Sequence, residues 1–221
     1  MPRVARIPFY PLCLLAGALL FSGAGLAHPS LTGDGAAQLA TIAATPAWRT
    51  IHWLLLLGLP LMLTGLVGFA LRHDDGPAAP FARAGILTAL FAFALWTLNV
   101  LFMVGAASSL ARAYATSEVG ITATQAVFVY DMLHPAGLAA ERLATGALAI
   151  ALYFFGWTAL RGKLYPRWLG WSGWATAVVC AAVALFWSEF TLTMFYAQGV
   201  VVAWFAVTAV VMLLEAEPKR R

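Results

Sequence analysis

The chain has 221 residues, of which 62% are apolar and only 10% are charged, and its formal net charge is +4. An average soluble domain carries roughly 25% charged residues, so this composition excludes an ordinary soluble domain and favours a chain that lies in a lipid bilayer. The small positive balance indicates membrane topology rather than a nucleic-acid partner, and we expect no nucleic-acid binding.

Six runs without Asp, Glu, Lys or Arg follow one another along the chain, and they are 18 to 28 residues long. A helix needs roughly 20 apolar residues to cross a hydrocarbon core about 30 Å thick. The sequence therefore predicts an all-α, polytopic bundle of six transmembrane helices embedded in the bilayer. The runs cover residues 7–33, 50–71, 84–111, 143–160, 168–188 and 190–214.

The first run has two interpretations. Residues 1–27 have a basic start, an apolar middle and the small residues Gly25 and Ala27 at the end, as a cleavable signal peptide does. Cleavage after Ala27 would leave five spans, with His28 at the new N-terminus. We favour a retained first helix, and we expect residues 28–221 to form a single bundle domain.

The distribution of Lys and Arg predicts the orientation of the spans. If the N-terminus is inside, the opposite face receives only Arg49, Arg112 and Arg142. An excess of Lys and Arg marks cytoplasmic loops, so both chain ends are predicted to lie in the cytoplasm (N-in/C-in). The ten basic residues of that face are Arg3, Arg6, Arg72, Arg83, Arg161, Lys163, Arg167, Lys219, Arg220 and Arg221.

The longest outer connection runs from residue 108 to residue 135. Its stretch TATQAVFVYDML begins with capping-type threonines and predicts a short helix that lies at the membrane surface, before a fourth span that starts at Pro135. Such a helix is either a lid over an outer pocket or a connector that packs on the bundle.

Polar groups collect on the outer side of this predicted topology. Glu141 and Arg142 border the hydrocarbon, where charged side chains are costly and tend to be functional. The alternative is a headgroup location, because the uncharged stretch after Arg142 is already long enough to span the bilayer. We therefore expect an outward-facing polar pocket. Its candidate residues are His52, His134, Glu141, Arg142, Asn99 and Gln198.

His52 and His134 are also candidate metal ligands. An imidazole binds copper or haem iron, and a pair of them at the outer surface suits either cofactor. The alternative is an interfacial imidazole that is hydrogen-bonded to a neighbouring backbone group or carboxylate. The sequence leaves haem and copper open as cofactors.

Motifs of common enzyme classes are missing from the sequence. It contains no P-loop, no HExxH and no CxxC, so we name no catalytic residue and favour a protein that is not an enzyme. The first hypothesis is a non-enzymatic sensing, stabilising or accessory protein, with other membrane proteins as possible partners. The alternatives are a haem- or copper-binding redox protein and a small-molecule or ion transporter.

One stretch resembles known families. YFFGWTALRGKLYPRWLGWSG, residues 153–173, is similar to uncharacterised bacterial membrane proteins with six or seven helices. In those families a helix ends in a short basic turn and the next begins with Pro-Arg-Trp-Leu-Gly. The resemblance implies a bacterial inner-membrane protein without an assigned activity. The matching positions are Pro166, Arg167, Trp168, Leu169 and Gly170.

Overall fold

A computed structural model describes residues 8–116, 120–186 and 192–215. This part of the chain is all-helical, with no strand, which confirms the predicted fold class. Six helical segments within it are long and apolar enough to cross a membrane, as the charge-free runs predicted. The helices are α1 (Phe9–Leu26), α2 (Gly35–Ala43), α3 (Trp48–Leu71), α4 (Ala79–Phe102), α5 (Ser108–Thr116), α6 (Ala123–Gly162), α7 (Arg167–Phe186) and α8 (Leu192–Leu214), with a π-helical turn (Met103–Ala107) between α4 and α5.

Consecutive spans run antiparallel, so the start of α1 and the end of α8 lie at the same end of the bundle. We call this the basic end because five of the predicted cytoplasmic residues lie there: Arg72, Arg83, Arg161, Lys163 and Arg167. The other five, Arg3, Arg6, Lys219, Arg220 and Arg221, lie outside the described residues. Which side of the membrane the basic end faces stays a prediction.

Glycines bring α1 and α3 into close contact. A Cβ atom on Gly17 would lie 2.7 Å from the carbonyl oxygen of Gly58, and one on Gly65 would lie 2.7 Å from the Cα atom of Leu14. Such small residues let helix backbones approach each other in a membrane, where packing drives association. The contact buries Leu14 and Met62 completely, so α1 is an integral part of the bundle's core.

The outer connection differs from its prediction, because residues 123–162 form one helix. Thr122 caps α6 by accepting a bond from the backbone N–H of Gln125, whose side chain accepts one from the backbone N–H of Thr122. Pro135 lies inside this helix instead of starting a span. The prediction of a separate surface helix was therefore wrong. Neighbouring helices pack against α6 on both sides of Pro135. Packing of this kind is how transmembrane helices tolerate an internal proline.

A second hydrophobic cluster lies beyond the bundle, at the end opposite the basic end. It joins α2, the start of α3, the π-helical turn, α5 and the first turns of α6, and we call these elements the cap. Forty residues of α6 span about 60 Å, roughly twice the hydrocarbon thickness, so its first turns extend into the cap. The buried cap residues include Leu39, Ile42, Trp48, Met103, Ala111, Ala126 and Tyr130.

Candidate ligand-binding cavity

A cavity of about 250 Å³ lies where the bundle meets the cap. Its wall includes the exposed loop residues Ser30 and Thr32, so the cavity reaches the protein surface beside α2. Its apolar lining comes mainly from α1, α3, α4 and α8. Besides Ser30 and Thr32, the polar side chains that line it are His28, Gln38, His52, Asn99, His134, Glu141 and Gln198.

The carboxylate of Glu141 is held by two amides from two other helices. Asn99 Nδ2 on α4 donates to Glu141 Oε2 at 2.9 Å, and Gln198 Nε2 on α8 donates to Glu141 Oε1 at 2.8 Å. Both amide residues are buried, at 8% and 5% exposure. Each oxygen of the Glu141 side chain therefore accepts one bond, and three spans meet at one carboxyl group.

Gly137 leaves space for the Asn99 amide in this orientation. Asn99 Oδ1 is buried and has no hydrogen-bond partner among the described residues. It lies so close to α6 that a Cβ atom on Gly137 would be 2.7 Å from it. The absence of a side chain at Gly137 thus leaves room for the amide that directs its N–H groups at Glu141.

Two histidines, His28 and His52, form another side of the cavity, and Trp48 packs against both of them. The rings of His28 and His52 lie 5.0 Å apart, and Trp48 lies 4.9 Å from the first and 4.2 Å from the second. His52 Nδ1 donates to the backbone oxygen of Trp48 at 2.8 Å, so Nε2 of a neutral ring is left as an acceptor. Burial lowers the pKa of His28, and this effect exceeds the opposing effect of its hydrogen bond with the backbone of Pro29.

His134 belongs to a chain of contacts that links α6 to α2. Its ring stacks on Tyr130 at 4.7 Å, and the Tyr130 hydroxyl donates to Gln38 Oε1 at 2.8 Å. Gln38 Nε2 in turn donates to the backbone oxygen of Gly33 at 3.0 Å. These bonds fix the loop before α2, which forms the rim of the cavity.

A second cavity of about 210 Å³ adjoins the first and shares Gln38 and His134 with it. Asp34 and Asp131 also line it. Asp34 caps α2 by accepting a bond from the backbone N–H of Ala37 at 2.9 Å. Two carboxylates therefore lie beside the rim of the first cavity.

Of the six candidate site residues, five line the first cavity and Arg142 does not. The Arg142 guanidinium turns to α7 instead, where Nε donates to the backbone oxygen of Ala184 at 2.6 Å and Nη2 to that of Leu185 at 3.3 Å. The last carbonyls of a helix lack intrahelical partners, so these bonds complete the end of α7. The five that line the cavity are His52, Asn99, His134, Glu141 and Gln198.

Sequence reasoning left His28 and Gln38, two of the polar residues of this cavity, out of the candidates. His28 was named as the N-terminal residue that cleavage would leave, and Gln38 was not considered because no helix was predicted near it. The pair Asp34–Gly35 was the available signal, since Asp is a preferred N-cap. This signal predicts that a helix begins there, and in the structure that helix, α2, buries Gln38.

The described residues contain no group of three or more His, Cys, Asp or Glu side chains placed to hold a metal ion. The structure does bring the imidazoles of His28 and His52 into contact, and Met103 and Met194 line the same cavity. Whether His52 and His134 hold a cofactor, as the sequence led us to expect, stays a prediction.

Comparison with known proteins finds no match for this chain among protein-family models, curated proteins or solved structures. The resemblance carried by residues 166–170 therefore stays a prediction.

Proposed function

We propose that this multi-pass membrane protein binds a small molecule in the cavity between bundle and cap, and that it acts as a sensing or accessory protein. The observation that carries the proposal is the arrangement around Glu141. A carboxylate and two amides from three spans are buried together at the wall of one cavity. Polar groups inside a membrane bundle are costly and mark functional sites.

The hydrogen bonds favour binding over catalysis. Asn99 and Gln198 both donate to the same carboxylate, which orients it toward a ligand. Activation of a nucleophile needs a different arrangement, in which a hydroxyl or thiol donates to a base. The cap adds a reason for a sensing role, because its cluster contacts the cavity through Met103 and the Tyr130–His134 stack. A bound molecule would therefore stabilise the cap against the bundle.

The test is ligand-induced thermal stabilisation of the full chain in mild detergent. The panel contains amines, carboxylates and neutral molecules small enough for the cavity. Val100→Trp fills the cavity, since Val100 lines it and is 4% exposed. Leu98→Trp is the matched control on the same helix, because Leu98 is 58% exposed and does not line the cavity.

We expect at least one class of molecule to raise the melting temperature of the wild type and of Leu98→Trp. In Val100→Trp the dissociation constant should rise by at least about tenfold, a loss of roughly 1.4 kcal/mol. Stabilisation that persists in Val100→Trp, or a panel that stabilises nothing, would contradict the proposal.

A second candidate is a copper protein, and the contact between His28 and His52 favours it. Imidazole and thioether ligands suit copper, and Met103 and Met194 line the same cavity. The cavity volume favours copper over haem, because 250 Å³ is below the roughly 300–1,000 Å³ of pockets for drug-sized ligands. Elemental mass spectrometry of the purified protein tests this candidate. About one copper per chain, lost in His52→Phe and kept in His73→Phe, would support it, and a metal-free wild type would end it.

A further inference from the structure

We propose that the ligand of this cavity is a small organic cation, an ammonium group on a compact apolar body, and that Glu141 is its counter-ion. This inference rests on the proposed function, since it names the chemical class of the molecule that the cavity binds.

The charges around the two cavities are the first argument. Among the described residues that line them, the ones with a formal charge are Glu141, Asp34 and Asp131, and none is Lys or Arg. Arg142, the basic residue next to Glu141 in the sequence, donates to backbone oxygens of α7. A carboxylate buried without a cation is strongly disfavoured, whereas a paired one is tolerated. A cationic ligand would therefore supply the partner that an ionised Glu141 needs and that no lining Lys or Arg provides among the described residues.

The geometry of the carboxylate is the second argument. An ionised carboxylate has about four acceptor positions on its two oxygens. Asn99 and Gln198 occupy one on each oxygen, so positions remain for the N–H groups of an ammonium. The two amides also hold the carboxylate in one orientation before a ligand arrives, which lowers the entropic cost of binding.

The apolar walls are the third argument, and they favour an organic cation over an inorganic one. The rings of Phe21, Trp96 and Phe195 line the same cavity as Glu141. Phe21 and Trp96 lie 4.6 Å apart, so they form a continuous aromatic surface. Aromatic faces attract organic cations and also bury an apolar body, whereas a bare metal ion would leave these walls without a contact.

The adjoining cavity is the fourth argument. Asp34 and Asp131 lie beside the rim, and His134 and Gln38 border both cavities. A cleft lined by charges of one sign concentrates ions of the opposite sign and raises their association rate. The rim thus attracts the same class of molecule that Glu141 would bind.

The experiment compares three probes of one shape and different charge: 2-phenylethylammonium, 2-phenylethanol and 3-phenylpropanoate. Each is titrated by calorimetry into the full chain in mild detergent, at fixed ionic strength. Three variants are measured beside the wild type. Glu141→Gln removes the charge and keeps the shape, Glu141→Asp keeps the charge, and Asp75→Asn is the matched control at an exposed turn of the basic end.

We expect the ammonium probe to bind wild type at least about tenfold more tightly than the alcohol, with no binding of the carboxylate. Glu141→Gln should weaken the ammonium by about tenfold or more and leave the alcohol unchanged, since a hydrogen bond to a charged group contributes roughly 1.5–3 kcal/mol. Glu141→Asp should retain the preference for the cation. Asp75→Asn should behave as wild type.

Equal or tighter binding of the alcohol or the carboxylate to the wild type would overturn the inference, and this comparison needs no variant to fold. An ammonium affinity that Glu141→Gln leaves unchanged would overturn it as well. If such binding is abolished by Val100→Trp, the cavity still binds a ligand and only the cationic class is wrong. If no molecule of any class binds, the proposed function fails with it.

Discussion

At the residue scale, two adjacent charged side chains have opposite surroundings. Consecutive residues of an α-helix point about 100° apart, because one turn takes 3.6 residues. Glu141 consequently faces α4 and α8 at the cavity, while Arg142 faces the end of α7. The pair that looked like one charged feature in the sequence is therefore a cavity residue beside a helix-capping residue.

Replacing Arg142 tests whether it is a helix-capping residue and not a cavity residue. We expect Arg142→Ala to lower the free energy of unfolding by about 1.5–3 kcal/mol, because the carbonyls of Ala184 and Leu185 lose a charged donor. Ligand binding at the cavity should not change. Thermal and denaturant unfolding in detergent measure the effect, with Arg112→Ala as the control at an exposed site. Equal losses in both variants would contradict the assignment.

His73 lies outside the spans, at the basic end, and the burial of its ring predicts that the stability of the fold depends on pH. Its Nδ1 donates to the backbone oxygen of Phe69, and its Nε2 is buried without a partner among the described residues. Burial lowers the pKa of His73 below its ordinary 6.5, the charge of Arg72 lowers it further, and the bond to Phe69 opposes both. The neutral ring is thus the form that the fold stabilises.

The unfolded chain therefore binds more protons than the folded one below about pH 6.5. The free energy of unfolding should fall as the pH drops from 7.5 through 6.5 toward the lowered pKa, by at most about 1.4 kcal/mol per pH unit for this group. Unfolding of His73→Asn, measured between pH 5 and 7.5, should show a weaker dependence than the wild type. The same slope in both proteins would contradict the prediction.

At the element scale, the π-helical turn joins the bundle to the cap. The carbonyl oxygen of Met103, in this turn, accepts bonds from Trp48 Nε1 and Ser108 Oγ, each at 3.0 Å. Such turns occur mostly as single insertions in α-helices and frequently at functional sites. Here the turn connects α4, α5 and the start of α3 at the wall of the cavity, where Met103 lies.

The contact between α1 and α3 predicts the effect of a single methyl group. Gly65→Ala should lower the free energy of unfolding by about 1–3 kcal/mol, because the new Cβ atom meets the backbone of Leu14, which cannot yield as a flexible side chain would. Gly199→Ala is the control, since nothing lies within 4 Å of a Cβ atom there. Thermal unfolding of the two variants measures the difference, and a neutral Gly65→Ala would mean that α1 is loosely packed.

The same contact favours a first helix that is kept in the mature protein. Removal of residues 1–27 would take away Phe21 and Gly25, which line the cavity, and would uncover the glycine face of α3. We therefore expect the intact mass of protein purified from membranes to include this helix. A mature chain that begins at His28 would contradict the prediction and leave five spans.

At the scale of the whole molecule, the distribution of charge predicts which end faces the cytoplasm. The basic end is expected inside and the cap outside, by the bias of Lys and Arg in cytoplasmic loops. Thiol labelling tests this in a chain with Cys13→Ala and Cys180→Ala. A membrane-impermeant reagent added to intact cells should label Ser30→Cys, at the rim of the cavity, and should spare Asp75→Cys, at the basic end. The reverse pattern would contradict the predicted orientation.

The number of spans followed from the sequence because crossing a bilayer is a local property. The length and hydropathy of each charge-free run decide whether that run crosses the bilayer, independently of the other runs. The wrong prediction concerned Pro135, where a local signal for a helix start was overruled. Packing of α6 against its neighbours on both sides keeps the helix continuous there.

The cavity depended on the tertiary structure, because the direction of a side chain depends on how each helix is rotated and which helices it meets. The sequence indicated that His52, Glu141, Asn99 and Gln198 lie on the outer side of the predicted topology. It contained no sign that α4 and α8 direct amides at one carboxylate, that Arg142 turns away to α7, or that His28 lies against His52. Hydropathy is summed along one segment, whereas these contacts join residues up to 57 positions apart, and only the packed bundle brings them together.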